Sequence, residues 1–137
     1  MPPNVRRLKT LVRMHRLAVV GVCEPKLSRH DADSIRLLLN FDSIICNSTG
    51  ELLVFFNSSF VGQVVGDSDQ HLSICWGHPQ FPVPILVSFV HAKCQLVERQ
   101  QLWEGLLQDK FRQGPWYVMG DFNLVVSSGE KKEGRQF

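Results

Sequence analysis

Two carboxylates and one amide carry the chemistry that this sequence offers. Glu24 directly follows the apolar run Leu17 to Cys23, and Asp121 follows the apolar run Trp116 to Met119 through Gly120. Asn123 lies two residues beyond Asp121. In an extended segment residues two apart share a face, so Asp121 and Asn123 point the same way while Phe122 turns into the core. On such a face a carboxylate can orient or deprotonate an attacking water, and an amide can donate to phosphate oxygens as charge builds on them. A hard cation such as Mg²⁺ takes only one or two protein carboxylates and keeps several waters. Glu24 and Asp121 therefore suffice as a metal rim if their strands lie parallel and adjacent, which brings both acids to one edge of a sheet. The plainer alternative is an Asp-Asn turn leaving a strand, whose side chains bond only the local backbone. Spacing leaves both open.

Other metals fit less well. Counting from Asp121, the fifth, sixth and twelfth positions are Val125, Val126 and Lys132, where a calcium-binding helix-loop-helix needs an oxygen ligand, a glycine and a glutamate. Cys75 with His78, and His91 with Cys94, form a Cys-x-x-His and a His-x-x-Cys pair. Both pairs sit at the ends of strand-like runs and not in the tight knuckles of structural zinc sites. The four cysteines, Cys23, Cys46, Cys75 and Cys94, are widely spaced among apolar residues, which suits reduced, buried thiols.

The elements that must position these residues follow from periodicity. Val5, Leu8, Val12 and His15 recur at helical spacing, so residues 5 to 16 read as an amphipathic helix. Leu17 to Cys23 is apolar throughout, the pattern of a strand buried on both faces, and Glu24-Pro25 ends it. Asp31 or Asp33 can cap a helix running to about Leu39. Ser43 to Cys46, Glu51 to Phe56, Phe60 to Val65, Leu72 to Trp76 and Ile85 to His91 then read as five strands of an antiparallel meander. A helix from Val97 to about Arg112 stops at Gly114-Pro115, and Trp116 to Met119 is a last apolar strand. The fold class is mixed α+β: one largely antiparallel sheet with about three helices.

The chain has 137 residues, 44% of them hydrophobic, and a formal net charge of +2, too small to argue for nucleic acid by itself. Charge placement says more. Arg6, Arg7, Lys9, Arg13 and Arg16 all precede the first acidic residue, Glu24, so the N-terminus is a basic block that faces either solvent or a phosphate backbone. No apolar run approaches the roughly 20 residues needed to cross a bilayer, so no membrane association is expected and the chain reads as soluble and intracellular.

Several strings, in order, carry a family resemblance. They are Glu24-Pro25-Lys26, Val90-His91-Ala92-Lys93-Cys94 with Glu98-Arg99 and Leu102-Trp103, and Gly120-Asp121-Phe122-Asn123 with Glu130-Lys131-Lys132. Together they resemble the endonuclease domain of plant LINE-type (non-LTR) retrotransposons, within the DNase I-like endonuclease/exonuclease/phosphatase superfamily. The resemblance implies a β-sandwich flanked by helices and hydrolysis of phosphodiesters with Mg²⁺, Mn²⁺ serving in its place. It implies DNA as partner through its phosphate backbone, and a nuclear location for a working retrotransposon-type endonuclease. Glu24 would hold the metal, Asp121 and Asn123 would position water and phosphate, and His91 stands where the related apurinic endonucleases carry a tyrosine.

The resemblance also implies a Trp-Asn strand ahead of the basic helix, and further strands with another Asp and a Ser-Asp-His beyond the Gly-Asp-Phe-Asn turn. The chain opens at Met1-Pro2-Pro3, closes at Phe137 and has no histidine after His91. Residues 1–137 are therefore read as an incomplete domain: a truncated, retrotransposon-derived copy with little or no activity and an apolar face prone to association. The alternative is a non-catalytic nucleic-acid-binding module using the basic helix.

Overall fold

Leu8 and Val12 recur four residues apart, and that spacing gives the first helix, α1 (Pro3–His15), its inner side; Arg6, Arg7 and Arg13 are exposed. The computed structural model describes residues 3–23, 27–110 and 114–123, and every structural statement below is made of those residues. Arg16, at φ 51°, ends α1 in the left-handed region, and the Leu17 amide closes the turn on the Val12 carbonyl at 3.1 Å. The second helix, α2 (Arg29–Leu38), is capped by Ser28, whose hydroxyl accepts from the Asp31 amide at 3.1 Å. The cap is thus neither Asp31 nor Asp33; Asp31 instead occupies the first turn, where its charge suits the helix dipole.

Seven strands divide between two sheets. In the first, β1 (Val19–Cys23) and β2 (Ser43–Cys46) flank β3 (Leu52–Phe56), both antiparallel to it. In the second, β4 (Val61–Asp67), β5 (His71–Gly77) and β6 (Ile85–His91) run antiparallel in sequence, and β7 (Trp116–Asp121) joins β6 in parallel. The parallel step requires a crossover, supplied by the third helix, α3 (Leu96–Asp109). The expected α+β class with three helices is what forms. The expected single meander is broken after β3, where the chain passes from one sheet to the other.

Strand β3 shows why the sheets stack as they do. All five of its residues are buried. Leu52, Val54 and Phe56 pack with Leu72, Ile74 and Trp76 of β5 and Phe89 of β6, forming the core between the sheets. Leu53 and Phe55 point the other way, onto Val12 of α1, Ala32 of α2, Leu39 and Phe41. On the far side of the second sheet, Leu102 and Leu106 of α3 pack against Val90, Ala92 and Trp116. The layers therefore run α1 and α2, first sheet, second sheet, α3.

Two expectations about burial change. Strands β1 and β7 are not central: each is the last strand at one edge of its sheet, and most of their residues are half-buried or exposed. The apolar character of β1 reflects packed layers on both faces of its sheet, whereas Tyr117, Val118 and Met119 of β7 are exposed. Val20 and Val22 sit against the helices, and Val19 against the inter-sheet core. The cysteines follow suit. All four are reduced thiols outside any disulfide, but Cys23, Cys46 and Cys94 are exposed, two of them because they end edge strands, and only Cys75 is partly buried.

Candidate functional site

The parallel register of β6 and β7 sets His91 beside Asp121 at the carboxyl ends of both strands. The Ala92 amide donates to the Asp121 carbonyl at 2.8 Å, which extends the ladder one residue past β6. Gly120, at φ 139°, lies where the β7 backbone is pressed against Val90, and a Cβ there would collide with the Val90 main chain. The Gly of the Gly-Asp-Phe-Asn turn is thus a requirement of close approach.

Beyond Asp121 the strand ends abruptly. Asn123 has φ 48°, so the extended geometry that would align its side chain with that of Asp121 does not persist. An Asx turn forms in its place: Asp121 Oδ1 accepts from the Asn123 amide at 2.9 Å. The Asn123 side-chain Nδ2 donates to the Ala92 carbonyl at 2.6 Å, and its own carbonyl accepts from Arg99 of α3 at 3.0 Å. Phe122 does turn inward, stacking on Trp103 with ring centroids 5.9 Å apart and planes at 16°. Asp121 and Asn123 therefore engage backbone as the plainer reading expects. Asn123, however, bonds a strand 31 residues away, which fixes the turn on β6.

The end of β1 reaches this rim from the opposite sheet. The Cys23 thiol lies 3.8 Å from the Val90 carbonyl, and Val90 is the register partner of Gly120. The condition of adjacent parallel strands is not met, because β1 and β7 belong to different sheets. Their carboxyl ends converge across the sandwich instead. Glu24, the residue after Cys23, lies outside the described residues.

Two residues that the sequence did not single out complete the rim. Glu51, immediately before β3, places Oε2 3.6 Å from His91 Nδ1. Gln70 is 2% exposed and ties three segments together. Its carbonyl accepts from the His91 amide, its Oε1 accepts from the Lys93 amide at 2.9 Å, and its Nε2 donates to the Glu98 carbonyl at 2.7 Å. Beside it Lys93 Nζ meets Asp69 at 2.6 Å and Glu98 at 3.3 Å, and its hydrogen bond to Asp69, with that to Glu98 next, raises the Lys93 pKa above its ordinary value. Glu51 was legible only as a polar residue opening an apolar strand; its pairing with the end of β6 depends on which sheets stack.

Among the described residues no three His, Cys, Asp or Glu side chains gather closely enough to hold a metal ion. The oxygen donors of Asp121 and Glu51 are of the hard kind that Mg²⁺ selects, and such an ion keeps most of its water shell. The donor chemistry at the rim fits it.

No family model matches the sequence, and no curated protein does. Solved structures match in fold. A functionally unknown conserved protein from Enterococcus faecalis V583 is 13% identical and aligns over 96% of this chain and 63% of its own, with a TM-score of 0.60. The human Nocturnin catalytic domain, solved with a bound sulfate anion, is 13% identical over 97% of this chain and 62% of its own, with a TM-score of 0.58. TDP2 from Caenorhabditis elegans is also 13% identical, over 88% of this chain and 42% of its own, with a TM-score of 0.54. The chain thus spans less than two thirds of each of these structures. The fold is a partial DNase I-like sandwich, with neighbours among the endonuclease/exonuclease/phosphatase folds. No described helix is long and apolar enough to cross a membrane.

Proposed function

We propose that the chain is a Mg²⁺-dependent phosphodiesterase domain of the DNA endonuclease type, related to LINE-type retrotransposon endonucleases and retaining little activity. The observation that carries this reading is the convergence of β1, β6 and β7 at one rim, marked by Cys23 at 3.8 Å from Val90 and by the His91–Asp121 register. In this reading Glu24 and Asp121 would hold the metal, which when bound would supply acidification of water and neutralisation of phosphate charge. Asp121 would orient the attacking water through the oxygen left outside its Asx turn. The second N–H of the Asn123 amide donates to a phosphate oxygen, and His91, beside Glu51, donates to another.

Little activity is expected because groups that act as a unit lose most of the rate when one is displaced. Here Asp121 and Asn123 each spend part of their hydrogen-bonding capacity on backbone. A plasmid-nicking assay in Mg²⁺ tests the reading. Slow nicking by the wild type that falls to background in both Asp121→Ala and Glu24→Ala supports it. Equal background in all three proteins ends the enzyme claim.

One observation favours a second reading, a nucleic-acid-binding module without catalysis. Arg6, Arg7 and Arg13 are exposed on α1, a helix with no acidic residue. DNA binding would then weaken steeply with salt, survive Asp121→Ala and drop when these three arginines are neutralised.

A further inference from the structure

Two cations flank the start of α3, and they are held differently. Lys93 meets Asp69 at 2.6 Å and Glu98 at 3.3 Å, so acids on both sides match its charge. Arg99 is half-buried, and among the described residues it forms no ion pair. Its Nε is buried without a partner, while its Nη1 donates to the Asn123 carbonyl at 3.0 Å. Taking a guanidinium partly out of water with no acid beside it costs stability. Groups that break the usual rules of burial persist where a site needs them. The hydrogen bond that Arg99 does make leads to the rim.

That bond lands on the turn after β7. Asn123 has φ 48°, a left-handed conformation that residues other than glycine seldom adopt without support. Its amide donates to Asp121 Oδ1 and its Nδ2 to the Ala92 carbonyl. Those two bonds tie Asn123 to the ends of β7 and β6. The carbonyl on Arg99 is what ties it to α3. One helical turn further along, Trp103 of the same helix stacks on Phe122. Helix α3 therefore grips the turn at two neighbouring residues, by an apolar contact at Phe122 and by a charged donor at Asn123.

We infer that Arg99 is a positioning residue of the rim. Acting through the Asn123 carbonyl, it keeps Asn123 in the left-handed turn and so fixes where the second N–H of the Asn123 amide points. Its part in turnover rests on the proposed function, in which that N–H donates to a phosphate oxygen; its grip on the turn does not. The grip uses a single N–H of Nη1, so an ammonium of similar reach can replace it. An uncharged side chain with no donor cannot.

Arg99→Met and Arg99→Lys in the full chain test this. In hydrogen exchange, Arg99→Met is expected to speed the Asn123 amide about 10-fold, the loss of one hydrogen bond, while the amides of β5 keep wild-type rates. Arg99→Lys is expected to restore the slower exchange. In plasmid nicking, Arg99→Met is expected to lower kcat about 10- to 100-fold with KM for DNA unchanged, and Arg99→Lys to recover most of it. A fall carried by KM would mean that Arg99 only attracts the phosphate backbone, and would overturn the inference. So would Asn123 exchange that ignores Arg99→Met, or a rise in exchange shared by β5. A wild type that does not nick ends the proposed function and leaves the grip on the turn to be decided by exchange alone.

Discussion

His71 Nε2 lies 2.7 Å from Asp109 Oδ2, so the second strand of the second sheet is bonded to the last residue of α3. The pair sits in a longer chain of donors. Trp116 Nε1 donates to Ser88, the Ser88 and Ser73 hydroxyls are 2.7 Å apart, and Ser73 donates to Asp109 at 2.8 Å. On the other side Ser68 Oγ meets His71 Nδ1 at 2.6 Å while accepting the amides of Gln70 and His71. Every donor finds one acceptor if the imidazole carries its proton on Nε2. The network spans the outer face of the sheet from β7 to β5 and fixes α3 on it, and with α3 the Arg99 that holds the Asn123 carbonyl.

Asp109→Ala should therefore cost about 1 to 3 kcal/mol of folding stability, the range for leaving buried hydrogen-bond donors unsatisfied. Gly66→Ala should destabilise as well, because a Cβ at Gly66 would meet the Asp109 carboxylate. Urea denaturation of both variants checks this; a loss below about 1 kcal/mol in each would show the network to be dispensable.

Gly120→Ala should disturb the rim more than the fold. A methyl there meets the Val90 main chain at a φ of 139°, so β7 must shift from β6 by its last rung. The expected cost is about 1 to 3 kcal/mol, with amide chemical shifts changing at Ala92, Asp121 and Asn123 while those of β3 stay put. Unaltered shifts at these residues would show that β7 does not approach Val90 so closely.

Ser28→Ala should lower stability by about 1 kcal/mol through loss of the cap on α2. Asp31→Ala should cost less, since its carboxylate contributes only through the helix dipole. A larger loss for Asp31→Ala in thermal denaturation would return the cap to the residue expected from sequence.

Alkaline pH should loosen the segment after β6. Lys93 is raised by its hydrogen bonds to Asp69 and Glu98, so its contribution is fully present below the unfolded pKa and is lost as pH rises through the higher folded one. Wild-type stability should fall above the ordinary lysine value of about 10.4, and Lys93→Met should flatten that limb. The same alkaline fall in both proteins would assign it to another group.

Much of this fold was legible in the sequence, and the reasons differ by element. The bounds of β2 and β6 follow directly from apolar runs between turn residues, and α1 and α3 from their helical spacing. What periodicity could not show was partnership. A run such as Val19 to Cys23 is apolar whether it lies centrally in a sheet or at an edge between packed layers, so apolar content alone does not tell the edge strands β1 and β7 from buried central ones. The break after β3 is likewise invisible, because Asn57-Ser58-Ser59 reads as a hairpin turn whichever sheet the next strand joins. At the rim, Asp121, Asn123 and His91 were found by type and motif and do lie together. Glu51 and Gln70 entered only through stacking of the sheets, and the φ of Asn123 replaced an assumed extended strand with a turn.

The proposed function requires a divalent metal at the rim where β1, β6 and β7 converge, with Glu24 and Asp121 as its ligands. Paramagnetic relaxation by Mn²⁺, read on backbone amides, tests it directly. The expected result is saturable broadening centred on Cys23, Ala92, Asp121 and Asn123 that Mg²⁺ displaces and that Asp121→Ala and Glu24→Ala abolish. Broadening spread over the exposed carboxylates of α2, such as Asp31 and Asp33, and unchanged in either variant would contradict it.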